Sequence, residues 1–407
     1  MIELAPYDLC TGCTSCANAC PHHAITMQAD GEGFLYPTID RNRCVECGLC
    51  TKRCPILSPL RRDNTNVPKT FALWSYPDRT VSSSGGAFSA FARNIIKEKG
   101  CVWGAAFVNK SKCKHIEAKS LDELVALRGS KYVQSELRDA FSKIKGELQQ
   151  GIQVLFCGTP CQVAGLQAYL HKEYDNLLTL DLACHGVPSD IVFQAYLKKL
   201  SDRKGVNIDR FEFRRLNGWG KAPTVEIRSK LRPIYGIDNL YMRAFDRSAL
   251  FRSSCYSCPY ARLPRLGDCT IADFWGIGRH GKPFKQNVLK GVSLVLANNK
   301  KGEEAVSQLE NVFMEQRTLE EALIENHNIT HPSLRHPQRN LIIHAFLNPN
   351  KTLDEIAVEF NLIDKSLKGQ IKELASKWHV FDLVKSVYNK YKSFKFRKLI
   401  DNLLLGI

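Results

Sequence analysis

Two runs of cysteines constrain this chain more than any other feature. Cys10, Cys13, Cys16 and Cys20 follow the spacing C-x2-C-x2-C-x3-C with Pro21 next, and Cys44, Cys47, Cys50 and Cys54 repeat it with Pro55 next. This is the bacterial ferredoxin run, in which three thiolates wrap one 4Fe–4S cubane and the fourth reaches the other. The spacing therefore assigns Cys10, Cys13, Cys16 and Cys54 to one cluster, and Cys44, Cys47, Cys50 and Cys20 to a second. Gly12 and Gly48 let the backbone turn tightly around the sulfurs. Two structural zinc sites are the alternative. Zinc commonly takes two separated C-x2-C pairs, and repeated runs closed by proline fit that poorly.

The 407 residues suggest two or three domains at about 150 residues each. Charged residues make up 24% and hydrophobic ones 44%, which excludes a disordered or fibrous chain. No run of apolar residues is long enough to span a bilayer. The first twenty residues lack a basic-then-apolar signal region, so the expected location is the cytoplasm. In a reducing compartment, clustered thiols point to metal or redox chemistry rather than disulfides. The formal charge of +16 raises the question of nucleic acid. Cluster ligation would remove part of that charge, and no nucleic-acid motif accompanies it. A zinc-based nucleic-acid binder therefore ranks last, and no nucleic-acid partner is expected.

Residues 55–68, with three prolines, read as a linker. Beyond it, strand-like runs (71–75, 101–108, 152–157, 177–184) alternate with helical patterns (86–99, 136–149, 160–171, 189–200), which suggests α/β units. Two further β-like runs fall at 211–216 and 224–229, and the pattern turns helical and charged from about 318. The expected organisation is a multidomain α+β and α/β chain. A two-cluster ferredoxin domain spans 1–60. An α/β flavin- and cluster-binding domain follows in two parts, 69–150 and 151–320, then a helical basic extension, 321–407.

Two loops are candidates for binding a phosphate. Ser82-Ser83-Ser84-Gly85-Gly86 precedes an amphipathic helix, where backbone amides and hydroxyls suit an anion. A serine N-cap on a plain loop would look the same. In Gly129-Ser130-Lys131-Tyr132, Lys131 could pair with a phosphate and Tyr132 stack on a ring, and a solvated loop is again the alternative. Elsewhere, Thr159 and Pro160 suit a helix start after the strand ending at Cys157. If the next strand, 177–184, is parallel to it, both carboxyl ends share one sheet edge, and Cys161 and Cys184 face one crevice. With the C-x2-C pair Cys255 and Cys258 they form a candidate third cubane, with zinc as the competitor. Cys101, Cys113, Cys157 and Cys269 read as inert buried thiols.

These stretches carry a resemblance. Ser84-Gly85-Gly86, the run from Gly129 to Ser135, Cys157-Gly158-Thr159-Pro160-Cys161-Gln162, the run from Cys184 to Ser189, the run from Cys255 to Tyr260, and the run from Gly267 to Gly276 resemble the coenzyme F420 hydrogenase/dehydrogenase beta-subunit family over roughly residues 70 to 280. With its fused ferredoxin segment the chain is more similar to the F420H2 dehydrogenase input subunit than to the hydrogenase subunit. The resemblance implies an FAD-binding α/β domain with its own cubane. It makes Ser84, Gly85, Gly86, Lys131 and Tyr132 flavin contacts and Cys161, Cys184, Cys255 and Cys258 cluster ligands, with Asp273 and Trp275 lining the same site.

The expected function is an FAD- and 4Fe–4S-dependent oxidoreductase, with coenzyme F420 a candidate substrate. It would pass electrons between a hydride donor or acceptor and one-electron carriers, the partner being a redox protein or a small molecule. The alternative is a non-catalytic relay subunit of a larger redox complex. His185 is a candidate proton donor, although a packing role suits it better. Lys385 to Lys398 carries six cations, no acid and interleaved aromatics. It reads as a terminal helix docked on its own domain. An anionic membrane face or an acidic partner is the second reading.

Overall fold

The computed structural model describes residues 2–60, 63–109, 111–214, 218–219 and 222–363. The expected basic helix at 385–398 lies outside them.

The amino-terminal unit is small. Its strands β1 (Ile25–Ala29) and β2 (Leu35–Ile39) form an antiparallel hairpin pairing Ile25 with Ile39. Each cysteine run closes on a short helix, Ser15–Ala19 and Leu49–Lys52, whose preceding residues, Thr14 and Gly48, are left-handed. The Ser15 hydroxyl donates to the Arg53 carbonyl at 2.7 Å and ties the two halves together.

The main body follows in chain order. Its strands are β3 (Lys69–Ser75), β4 (Cys101–Val108), β5 (Lys112–Ala118), β6 (Val154–Gly158), β7 (Leu177–Leu182), β8 (Arg210–Glu212), β9 (Thr224–Ile227), β10 (Lys230–Pro233), β11 (Cys269–Asp273), β12 (Ser293–Ala297) and β13 (Val312–Arg317). Eight form one mixed sheet in the order β13-β3-β12-β11-β7-β6-β4-β5, and β8, β9 and β10 make a small antiparallel sheet beside it. The expected parallel unit is present: β6, the helix Pro160–Leu170, then β7, with Val154 opposite Leu177. The sheet also pairs β4 with β6 and β7 with β11 in parallel. Since β12 is antiparallel to both β3 and β11, β3 runs with them. Five strands therefore point their carboxyl ends at one edge, the position where open α/β sheets bind ligands.

Alternation along the central strands explains the burial on both faces. Val154 and Phe156 of β6 pack with Phe141 and Leu166 on one face, while Leu155 packs with Phe91 and Val102 on the other. The Cys157 thiol joins the second face, and Cys101 and Cys269 are fully buried in the sheet. The helices Arg339–Leu347 and Leu353–Glu359 place Ile342, Phe346 and Ile356 in the cluster formed by Phe193, Tyr196 and Leu200. Residues 339–359 thus share a core with the helix Asp190–Lys204.

The 55–68 segment is pinned rather than free. Asn64 Nδ2 donates to the carbonyl of Arg265 at 2.7 Å and of Gly267 at 3.1 Å, and the Thr65 amide donates to the Asn298 carbonyl. No helix among the described residues is long and apolar enough to cross a membrane.

A buried polar chain fixes the start of the helix Pro160–Leu170. The Thr159 amide donates to Gln162 Oε1 at 3.0 Å, and Gln162 Nε2 donates to the Ser135 hydroxyl at 2.9 Å. Ser135 lies 2.8 Å from His115 Nδ1, and His115 Nε2 lies 3.0 Å from the Cys157 carbonyl. That carbonyl can only accept, so Nε2 carries the proton and Nδ1 accepts from Ser135. Burial pushes the imidazole down to about 4. The unfolded chain, with histidine near its ordinary value of about 6.5, takes up the proton first as pH falls. This contribution is complete above that value and is lost as pH falls toward 4. Between about pH 7.5 and pH 5.5 the wild-type chain should lose about 1–2 kcal/mol of unfolding free energy that His115→Gln does not lose. Urea unfolding of both chains at the two pH values measures the difference.

Candidate metal centre

The sixteen cysteines separate by position, and twelve of them form three groups. Cys10, Cys13, Cys16 and Cys54 surround one pocket of the amino-terminal unit. Cys20, Cys44, Cys47 and Cys50 surround a second. The fourth thiol of each run crosses to the other group, as expected from the spacing. The Ala24 amide lies 3.3 Å from Cys20 Sγ, and the αL residues Gly12 and Gly48 turn the backbone around the sulfurs. Burial, with repulsion from the neighbouring thiols, pushes Cys13 up to about 12 and Cys16 well above its ordinary value. Crowded thiols of this kind are stable as thiolates only beside a cation, so their donor chemistry fits an iron centre.

The third group forms at the carboxyl edge of the main sheet. Cys161 sits in the first turn of the helix after β6, Cys184 lies two residues past β7, and Cys255 lies within a short 3-10 turn at Ser253–Ser257 that Cys258 directly follows. Burial raises all four, with repulsion from neighbouring thiols adding to it at Cys161, Cys184 and Cys255, and brings Cys161 to about 11 and Cys255 to about 12. An ion pair without solvent exposure holds this corner. Arg265 Nη2 donates to Asp181 Oδ1 of β7 at 2.8 Å, and the other Asp181 oxygen accepts the amides of Leu266 and Gly267. The guanidinium also donates to the carbonyls of Leu182, Tyr260 and Ile329. One side chain thereby joins the strand leading to Cys184 to the loop that follows Cys258.

The first and third groups adjoin. The helix bearing Cys161 has Gly165 against the amino-terminal unit, where a Cβ would come within 2.8 Å of Cys13 Cβ and 3.1 Å of its sulfur. Polar contacts close the same junction. Arg252 Nε donates to the Cys10 carbonyl at 2.7 Å, Gln134 Nε2 to Thr11 O at 3.2 Å and Ser189 Oγ to Glu32 O at 2.6 Å. Arg339 pairs with Glu32. None of these partners is close in sequence, and sequence reasoning missed them all.

Farther along the same edge lies a polar and aromatic group. Asp78, fully buried, accepts from Arg93, Arg128 and Ser75 and anchors the turn before Ser82–Gly86. Arg214 donates to the Ser83 carbonyl at 3.0 Å and pairs with Asp273 at the end of β11. Burial disfavours the Arg214 charge, and Asp273 more than offsets it, so the guanidinium stays cationic. Trp219 Nε1 donates to Asp273 at 2.8 Å, with its ring 4.9 Å from that of Trp275. Tyr132 faces Arg214 and Ser130 from within an aromatic cluster with Phe213 and Phe245. Burial, with the nearby His327, disfavours the charged form of His185, next to Cys184, and Asp273 acts in the opposite sense.

Three of the five expected flavin contacts have structural roles of their own. The Lys131 ammonium donates to the carbonyls of Ala126, Leu127 and Arg128 and so closes the carboxyl end of the helix Leu121–Leu127. All three of its protons are used there. A Cβ on Gly85 would lie 2.3 Å from the Leu73 carbonyl, so this glycine lets the loop approach β3. Gly86, at φ 87°, starts the helix Ala87–Lys97. Ser84 and Tyr132 stand at the polar and aromatic group, together with the missed residues Arg214 and Trp219.

Two cysteine repeats docked on a mixed sheet, with a third thiol group at its carboxyl edge, define an iron–sulfur redox protein. Residues 9–56 match the 4Fe–4S dicluster domain. Residues 152–322 match the family described as the C terminus of the coenzyme F420 hydrogenase/dehydrogenase beta subunit, which places this part of the chain in that family, with a dicluster domain at the amino-terminal end. A comparison with curated proteins finds none that matches. Among solved structures, a chain of the xenon-derivatised F420-reducing [NiFe] hydrogenase complex from Methanosarcina barkeri is similar at 15% identity and a TM-score of 0.42, over 74% of this chain and 95% of that one.

Two substitutions test this corner. Arg265→Met strands a buried carboxylate, and urea unfolding should show a loss of about 3–5 kcal/mol. Gly165→Ala overpacks the contact with Cys13. It should cost about 1–3 kcal/mol and lower the iron content of the purified chain.

Proposed function

We propose that this chain is an FAD- and iron–sulfur-dependent oxidoreductase subunit that passes electrons between a hydride carrier, coenzyme F420 or a similar molecule, and one-electron partners. The observation that carries the reading is the succession of sites. The polar and aromatic group meets His185 and Cys184, the third thiol group meets Cys13, and the amino-terminal unit holds the outermost thiols. In such a protein the flavin takes hydride as a pair of electrons and the clusters move them singly.

The residues would divide the work as follows. Cys10, Cys13, Cys16 and Cys54 hold one cluster, Cys20, Cys44, Cys47 and Cys50 the second, and Cys161, Cys184, Cys255 and Cys258 the third. The pair Arg265–Asp181 keeps Cys184, Cys255 and Cys258 in register. Ser84, Tyr132, Arg214 and Trp275 line the flavin side, with Asp273 holding Arg214 in place. The partner is a redox protein that meets the amino-terminal unit.

A relay subunit without flavin is the second reading, favoured by the use of Lys131 and Gly85 in the scaffold. Anaerobic reconstitution separates the two. Chemical analysis should find about twelve irons per chain and one bound FAD, and a deazaflavin or nicotinamide hydride donor should bleach the flavin band. Full iron without flavin, and no reduction by any hydride donor, would establish the relay. Absence of both iron and flavin would remove the proposal.

A further inference from the structure

Three buried polar atoms without a partner among the described residues lie where the first and third thiol groups meet: Arg252 Nη2, the Tyr260 hydroxyl and the Thr11 hydroxyl. Arg252 carries the argument furthest. Its side chain lies in a residue only 1% exposed, yet among the described residues no carboxylate pairs with it. Nε donates to the Cys10 carbonyl at 2.7 Å, Nη1 reaches Gln134 at a long 3.4 Å, and the guanidinium stacks 3.9 Å from the centre of the Tyr36 ring. Its backbone carbonyl accepts from the Cys255 amide at 2.9 Å, and its charge bears on Cys161 and Cys255. A buried cation without a counter-ion is costly. Tyr260 lies on the other side of the junction, its buried hydroxyl without a partner among the described residues and within electrostatic reach of Cys13, Cys54, Cys161 and Cys258. Its carbonyl is clamped by Arg265 at 2.9 Å, which fixes the backbone from which the ring projects.

Resting on the cluster assignment proposed above, we infer that Arg252 and Tyr260 are hydrogen-bond donors shared by the two adjoining clusters, and that they set the potentials of those two and not of the outermost one. A cluster held by four thiolates is an anion whose negative charge grows when it takes an electron. A fixed cation and a donated hydrogen bond therefore favour the reduced form and raise the potential. The guanidinium finds its missing counter-ion in the clusters, and the orphaned donors find sulfur acceptors. Neither residue lines the pocket of Cys20, Cys44, Cys47 and Cys50, whose neighbours include His22, Ile25, Ile39 and Val45. The junction would thus hold electrons on the pair of inner clusters before release to the outer one. Arg252 and Tyr260 act through the clusters and are positioning residues.

The test is an EPR-monitored redox titration of the full chain after anaerobic reconstitution. Wild type, Tyr260→Phe, Arg252→Gln and Arg252→Lys are compared, and Cys47→Ser marks the signal of the outermost cluster. Iron is counted first, and a wild-type chain without iron overturns the cluster assignment itself. With about twelve irons present, Tyr260→Phe should lower the potentials of two clusters and leave the third in place. Arg252→Gln should shift the same two further, by about tenfold in the reduction equilibrium, which is about 59 mV for one electron. Arg252→Lys, keeping the charge, should recover most of that shift. Three unchanged potentials in Tyr260→Phe, an equal shift of all three, or a lysine variant no better than glutamine overturns the inference. If Arg252→Gln loses iron, Tyr260→Phe decides alone, since it removes one oxygen and keeps the ring.

Discussion

The buried pair Arg265–Asp181 is the constraint on which the corner of the main domain depends. Neither side chain reaches solvent, and each oxygen of Asp181 is committed. A buried ion pair holds only where its remaining donors and acceptors are satisfied. Arg265 meets that condition by reaching three backbone carbonyls from three separate segments. The glycine at 267 belongs to the same arrangement, because a Cβ there would lie 2.8 Å from the Asp181 amide. Four thiols from distant parts of the chain can share one site only if their loops are fixed relative to one another. Arg265 supplies that fixing for three of them, and the chain from Thr159 through Gln162, Ser135 and His115 supplies it for Cys161.

The sheet contributes direction. Five strands run the same way, so the loops after β3, β6, β7 and β11 emerge together. The serine loop, Cys161, Cys184 and Asp273 lie along that edge for that reason, although they are far apart in the chain. Asp78 and its two arginines then stiffen the first of these loops, as Arg265 stiffens another.

What could be read from the sequence was local. Ligand spacing within a cysteine run is a short-range property, and it gave both the grouping of eight thiols and the exchange of Cys20 and Cys54 between groups. The parallel unit around Cys157 to Cys184 was legible from period and length. Strands β5, β11, β12 and β13 escaped notice because apolar runs such as Ser293–Ala297 carry no helical or turn signal of their own. Lys131 illustrates a different failure. A lysine beside a glycine turn looks the same whether its ammonium meets a phosphate or the end of its own preceding helix, and only the three carbonyl contacts distinguish them. Arg252 and Arg339 were invisible because their partners, Cys10 and Glu32, lie far away in sequence.

The tight seat of the hairpin has a consequence for traffic. A Cβ on Gly33 would lie 2.7 Å from Ile191, so the turn between β1 and β2 is wedged against the body with no room to spare. A carrier that swung away to meet its acceptor would have to break this seat. The fixed arrangement instead turns one rim outward, where Cys47 is exposed and Val45 is 60% exposed beside it. On the function proposed above, a partner exchanging electrons with the outer thiol group would meet that rim, and dissolved oxygen would find the same doorway.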